Sequence, residues 1–226
     1  KFNILADALL KPFAIISFFL LIVGLMFSFF LSPEDYQQGS TVRIMYIHVP
    51  SAWLSLMTYL VMTLYSIIAL AFRIPFGFIV NSAVAPIGAT FTLICIISGS
   101  LWGKPMWGTW WVWDARLTSM IVLMIFYIFY ILSLKFIHNK DLSIKVSSLI
   151  AIVGSINLPI IKYSVDWWST LHQPASIKLG SSNSIDSSMM LPLMLMLLVL
   201  LLYGALIFLM KYKTEIIRMK KKSIKK

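Results

Sequence analysis

Cysteine is nearly missing from this chain. The single Cys95 excludes an internal disulfide and a thiolate metal cluster. Lying in an apolar run, it reads as a small buried hydrophobe. Charge is also scarce: 12% of the 226 residues are charged, against 60% hydrophobic, about half the charge of a soluble domain. There is no glycine-rich phosphate loop, so the chain itself is not an ATPase. The few acidic residues are scattered, and neither a Ser/His/Asp set nor a carboxylate pair stands out, so no enzyme chemistry is assigned.

What is abundant is long apolar runs. A helix needs about 20 apolar residues to cross a hydrocarbon core of about 30 Å, and backbone in lipid must satisfy its own hydrogen bonds. Six runs qualify: Phe13 to Leu31, Ala52 to Phe72, Phe78 to Leu101, Leu117 to Leu134, Ile144 to Tyr163 and Met189 to Met210. The third is the weakest, because Asn81 and Pro86 interrupt it. The fold class expected is therefore an all-α membrane protein, a bundle of six transmembrane helices forming one domain over 1–226. The first run lacks a small-residue cleavage pattern after it, so no cleavable signal is expected.

Six spans put both termini on one side. Of 19 Lys and Arg residues, only Arg43, Lys104, Arg116, Lys162 and Lys178 fall on the other side, where Glu34, Asp35, Asp114, Asp166 and Asp186 balance them. The positive-inside rule then places the termini in the cytoplasm, or in the matrix of an organelle. The basic tail, 211–226, is a topology signal and secondarily a contact for anionic membrane lipid. The formal charge of +11 thus does not imply nucleic acid.

The outer side holds the unusual residues. Trp102, Trp107, Trp110, Trp111 and Trp113 crowd the stretch 102–119, which is too polar and too broken by Gly103, Pro105 and Gly108 to span a bilayer. An aromatic belt at the membrane surface explains a few indoles. A platform for a large, flat, partly apolar ligand explains this density better. Two histidines flank it in sequence, His48 in Tyr-Ile-His-Val-Pro and His172 in Leu-His-Gln-Pro. Two neutral imidazoles fit the two axial positions of a haem iron, and are too few for zinc. Arg43 and Arg116 are the guanidinium groups available to haem propionates. Asp114 has two readings: it orients Arg116 or a ligand histidine, or it caps the fourth span.

The run Trp107-Gly-Thr-Trp110-Trp111-Val-Trp113-Asp114 resembles the tryptophan-rich (WWD) signature of the haem-handling proteins of cytochrome c biogenesis. With six spans, the Tyr-Ile-His48-Val-Pro segment and Trp-Trp-Ser-Thr-Leu-His172-Gln-Pro, the chain is similar to the haem exporter protein C family over nearly its whole length. The resemblance implies haem b, held non-covalently at the outer face with His48 and His172 as axial ligands. It implies transfer to a membrane-tethered haem chaperone, an ABC-type transporter with membrane and ATPase subunits, and a small single-span accessory protein. It also implies the bacterial inner membrane, or the mitochondrial inner membrane if the chain is organellar. Two rival readings are a lyase joining haem covalently to a protein, and a docking subunit of a transporter without haem of its own.

Overall fold

The computed structural model describes residues 2–72, 75–173 and 185–224. Arg73, Lys178 and the last two lysines therefore lie outside the described residues. Among the described residues seven α-helices follow in order: α1 Phe2–Met26, α2 Met45–Phe72, α3 Pro75–Trp107, α4 Ala115–Phe136, α5 Lys140–Gly154, α6 Asn157–Trp167 and α7 Ser187–Ile224. A π-turn, Phe27–Leu31, extends α1, and a 3-10 turn, Ser40–Ile44, leads into α2. Among the described residues, six helical spans are long and apolar enough to cross a membrane, with α5 and α6 counted as one span.

The fifth span is broken at Ser155 and Ile156. Pro159 is the cause: it has no N–H to give the Ser155 carbonyl, and its ring clashes with that group. The Leu158 N–H takes the freed carbonyl instead, at 3.0 Å. The third span, weakest in sequence, is a continuous helix. Asn81 is buried and donates to the Met62 carbonyl at 2.8 Å and to Ser66 Oγ at 3.0 Å, both on α2. An amide that looked like a flaw in a lipid-facing helix is a tie between two helices.

The stretch 102–119 is a loop only from 108 to 114. Its first six residues complete α3 and its last five begin α4. Gly103 permits the continuation, because a Cβ there would meet the Trp107 ring at 2.9 Å. Pro105 removes one backbone bond close to a helix end, where water can replace it. Gly108, at φ +75°, then turns the chain out of the helix. The segment 211–224 continues α7 as helix.

Small and hydroxylated residues let the helices approach closely. Tyr59 of α2 and Tyr127 of α4 meet edge to face at 4.9 Å in the core, and Tyr127 Oη donates to the Ser55 carbonyl at 2.8 Å. Asn157 at the start of α6 donates to the Ser119 carbonyl of α4 at 2.8 Å. α1 lies against α7, with Gly24 over Met196 and Val199. A second cluster, around Tyr46, Met189, Leu193 and Met196, supports Trp53 and Trp102 from below. The outward faces are apolar, among them Phe18, Phe19, Leu64, Phe129 and Leu201, as a lipid solvent requires.

Candidate functional site

His48 lies in the first turn of α2 and points at α3. Its Nδ1 is 3.0 Å from the Cys95 carbonyl and 3.2 Å from Ser98 Oγ. A carbonyl only accepts, so Nδ1 carries the proton and the Nε2 lone pair is left free. Ser98 Oγ is oriented in turn by donating to the Ile94 carbonyl at 2.6 Å. Gly99 makes this approach possible. A Cβ there would stand 2.9 Å from His48 Cε1 and 3.3 Å from Nδ1, so the imidazole rests on bare α3 backbone.

His172 reaches the same place from the segment after α6. The Thr170 hydroxyl accepts the His172 backbone N–H at 2.9 Å. The ring Nδ1 donates to the neighbouring Gln173 carbonyl at 2.8 Å, which again leaves Nε2 free of hydrogen bonds among the described residues. Burial holds this imidazole below its ordinary pKa. The hydrogen bond to Gln173 opposes that shift and the positive Arg116 reinforces it. The ring is thus neutral at physiological pH, the form that ligates metals.

The two ring centroids are 6.4 Å apart with planes at 37°. Two imidazoles facing each other across one metal, with bonds of about 2.0–2.1 Å and centroids roughly 1.1 Å behind the nitrogens, sit about 6.3 Å apart. Trp102 meets His48 edge to face at 5.7 Å, and Trp107 lies 6.4 Å from His172. The structure therefore brings together His48, His172, Trp102 and Trp107. Among the described residues no group of three or more His, Cys, Asp or Glu could hold a metal ion.

The other sequence candidates lie around this centre. Trp110 is 55% exposed and Trp113 77% exposed. The Lys104 ammonium is 5.8 Å from the Trp110 ring, and Trp111 meets Trp113 edge to face at 5.9 Å. Trp111 Nε1 is buried without a hydrogen-bond partner among the described residues. Asp114 is the N-cap of α4, its Oδ1 accepting the Leu117 N–H at 2.8 Å. Its Oδ2 is buried and unpartnered, and its charge acts on both Arg116 and His172. Capping is thus observed, and one oxygen remains for a second role.

The two arginines differ. Arg116 braces α4 to α6, donating from Nε to Ser164 Oγ at 3.0 Å and from a terminal nitrogen to the Lys162 carbonyl at 3.1 Å. Arg43 turns toward the loop after α1, to the Ser32 carbonyl at 3.4 Å and to Glu34 at 3.9 Å.

Reading the sequence did not find Gly99, Ser98 or the Cys95 carbonyl. It also missed Gln38, whose Oε1 accepts the Trp102 indole N–H at 2.9 Å. Gln38 is set by a tight turn in which Asp35 Oδ1 accepts two backbone N–H groups and Gly39 takes φ +55°. The Asp35-to-Gly39 spacing was a legible turn signal; the helix-to-imidazole contact had none.

The whole chain, residues 1–226, matches the family described as heme exporter protein C, CcmC. A heme exporter protein C of Bradyrhizobium diazoefficiens is 42% identical over 224 residues, covering 99% of this chain and 85% of the relative. That of Escherichia coli K12 is 42% identical over 209 residues, covering 92% and 84%. A putative cytochrome c biosynthesis ccmC-like mitochondrial protein of Marchantia polymorpha is 45% identical over 177 residues, covering 78% and 75%. With a match of this length, the chain belongs to the heme exporter protein C family.

Proposed function

We propose that this chain binds haem reversibly at its outer face and passes it to a membrane-tethered haem chaperone during c-type cytochrome maturation. The observation that carries this reading is the pair of free Nε2 groups, His48 and His172, with ring centroids 6.4 Å apart. Haem is the cargo, and its iron takes one imidazole on each face. Each ring is oriented by a carbonyl on its far nitrogen, which also makes the ligand nitrogen more basic. Trp102 and Trp107 wall the pair. Trp110, Trp111 and Trp113 present apolar faces and N–H groups to the porphyrin edge. Arg116 is the better candidate for a propionate, since its charge acts on both His48 and His172, and Asp114 tunes Arg116 while it caps α4.

Because the iron is held by two side chains without a covalent link, the site can release as well as bind. The reading assigns no bond-making chemistry to this chain. Movement of haem or assembly driven by ATP belongs to an ABC-type transporter with its own ATPase subunit, accompanied by a small single-span protein. The outer face is periplasmic in a bacterial inner membrane and faces the intermembrane space in a mitochondrion.

The test is a visible spectrum of the full chain purified from haem-replete cells. A low-spin bis-imidazole spectrum is expected, lost in both His48→Ala and His172→Ala. Wild-type haem content in both variants would rule out the axial roles. Absence of any haem band in the unaltered protein would favour a docking subunit, and a covalent adduct on a chaperone peptide would favour a lyase.

A further inference from the structure

Away from the outer end, α1, α3 and α7 leave between them a groove of about 410 Å³, within the usual range of about 300–1,000 Å³ for ligand pockets. Its concavity follows from sequence. Pro86 interrupts the backbone bonding of α3. Gly204 of α7 carries no side chain, and a Cβ there would already be 3.3 Å from the Phe91 ring. The walls are mostly apolar, with Ser17, Thr90, Tyr203 and Lys211 as the polar residues among them. Ser17 of α1 is 4% exposed, and its hydroxyl has no hydrogen-bond partner among the described residues. Lys211, the first charged residue after the apolar run of α7, closes one end.

The dimensions are those of one leaflet. On α7 the groove runs from Val199 to Lys211, which at 1.5 Å per residue is about 18 Å; half of a hydrocarbon core is about 15 Å. Lys211 stands where that half meets water, on the side of the chain termini. Gly24 is level with Met196 and Val199. Ser17, two turns back along α1, is therefore about 10 Å nearer the Lys211 end and still about 10 Å short of it, at the depth of the acyl chains.

We propose that this groove is a binding site for one anionic phospholipid of the leaflet on the terminal side. One acyl chain fills the groove past Ser17 and the phosphate sits at Lys211. A lysine at the hydrocarbon edge extends its ammonium to the headgroups. The assignment does not rest on the haem reading.

The test uses the full chain in phosphatidylcholine vesicles doped with photoactivatable phosphatidylglycerol or phosphatidylcholine, each carrying the reactive group on an acyl chain. Phosphatidylglycerol should label peptides spanning 86–94 and 199–211 several-fold more than phosphatidylcholine. The exposed face of α2 around Met57 and Leu64 should show no headgroup preference. Lys211→Gln should abolish the preference at the groove. Ser17→Ala, too mild to disturb folding, should leave it unchanged, because Ser17 lies below the headgroup. Even labelling around the bundle, a preference that survives Lys211→Gln, or displacement of the label by added haem would each overturn the proposal.

Discussion

The two halves of the proposed haem site are built differently. His48 stands on a long helix, with a carbonyl and a hydroxyl of the next helix on its Nδ1 and α3 backbone against its ring. His172 stands outside any helix, and among the described residues its hydrogen bonds run to its own neighbours, Thr170 and Gln173. One ligand is fixed by tertiary packing and the other by a local turn. Local structure opens more cheaply than a packed core. On the proposed reading a carrier would benefit from this asymmetry: the His48 side would define where the iron goes, and the His172 side would let go when a partner takes the cargo.

The sharpest way to break the comparison is to remove each ligand in turn. His48→Ala should strip almost all haem from the purified protein. His172→Ala should leave a weaker, five-coordinate, high-spin form. The visible spectrum separates these outcomes, and equal losses with identical spectra would show that the halves are equivalent.

Gly99→Ala comes next. The added methyl meets the imidazole at 2.9 Å, and overpacking of this kind costs about 1–3 kcal/mol. Because the neighbour that must give way is a proposed ligand, the cost should fall on haem affinity, by roughly tenfold, with little change in thermal stability. Haem titration alongside a melting curve checks this; unchanged affinity would mean that His48 is not held in the position described.

A smaller effect is expected at Asp114, whose two oxygens have separate tasks. Asp114→Ala removes the cap on α4 and should cost about 0.5–2 kcal/mol of stability. Asp114→Asn keeps a capping oxygen and removes the charge acting on Arg116 and His172. If capping is the whole role, the Asn variant should melt and bind haem like the parent. If the charge matters too, it should melt normally and bind haem less well.

How much of this was legible follows the range of the interactions. Spans were readable because lipid imposes one rule on every crossing residue, and the cap at Asp114 was readable because it acts over three residues. The break at Ser155 had its signal in Pro159, hidden by an apolar run that looked continuous. Asn81 was misjudged, since its partners Met62 and Ser66 lie on another helix. Gly99 was invisible for the same reason: a glycine in an apolar run says nothing about whose ring will lean on it. Arg43 and Arg116 looked equivalent as outer cations, and only the fold shows one beside Glu34 and the other beside Ser164.

The smallest predicted effect tests the asymmetry most directly. In the local turn, Thr170 Oγ1 accepts the His172 N–H, a bond worth about 0.5–1.5 kcal/mol. Thr170→Ala should loosen the His172 half while leaving His48 and its α3 contacts untouched. Equilibrium haem content should then stay close to that of the parent, because the His48 half is intact, while the rate of haem transfer to an acceptor protein should rise about two- to tenfold. Thr170→Ser, which keeps the hydroxyl, should restore the parental rate. If Thr170→Ala instead leaves the rate unchanged and Gly99→Ala accelerates it, release begins on the helical side, and the division of labour between the two histidines runs the other way.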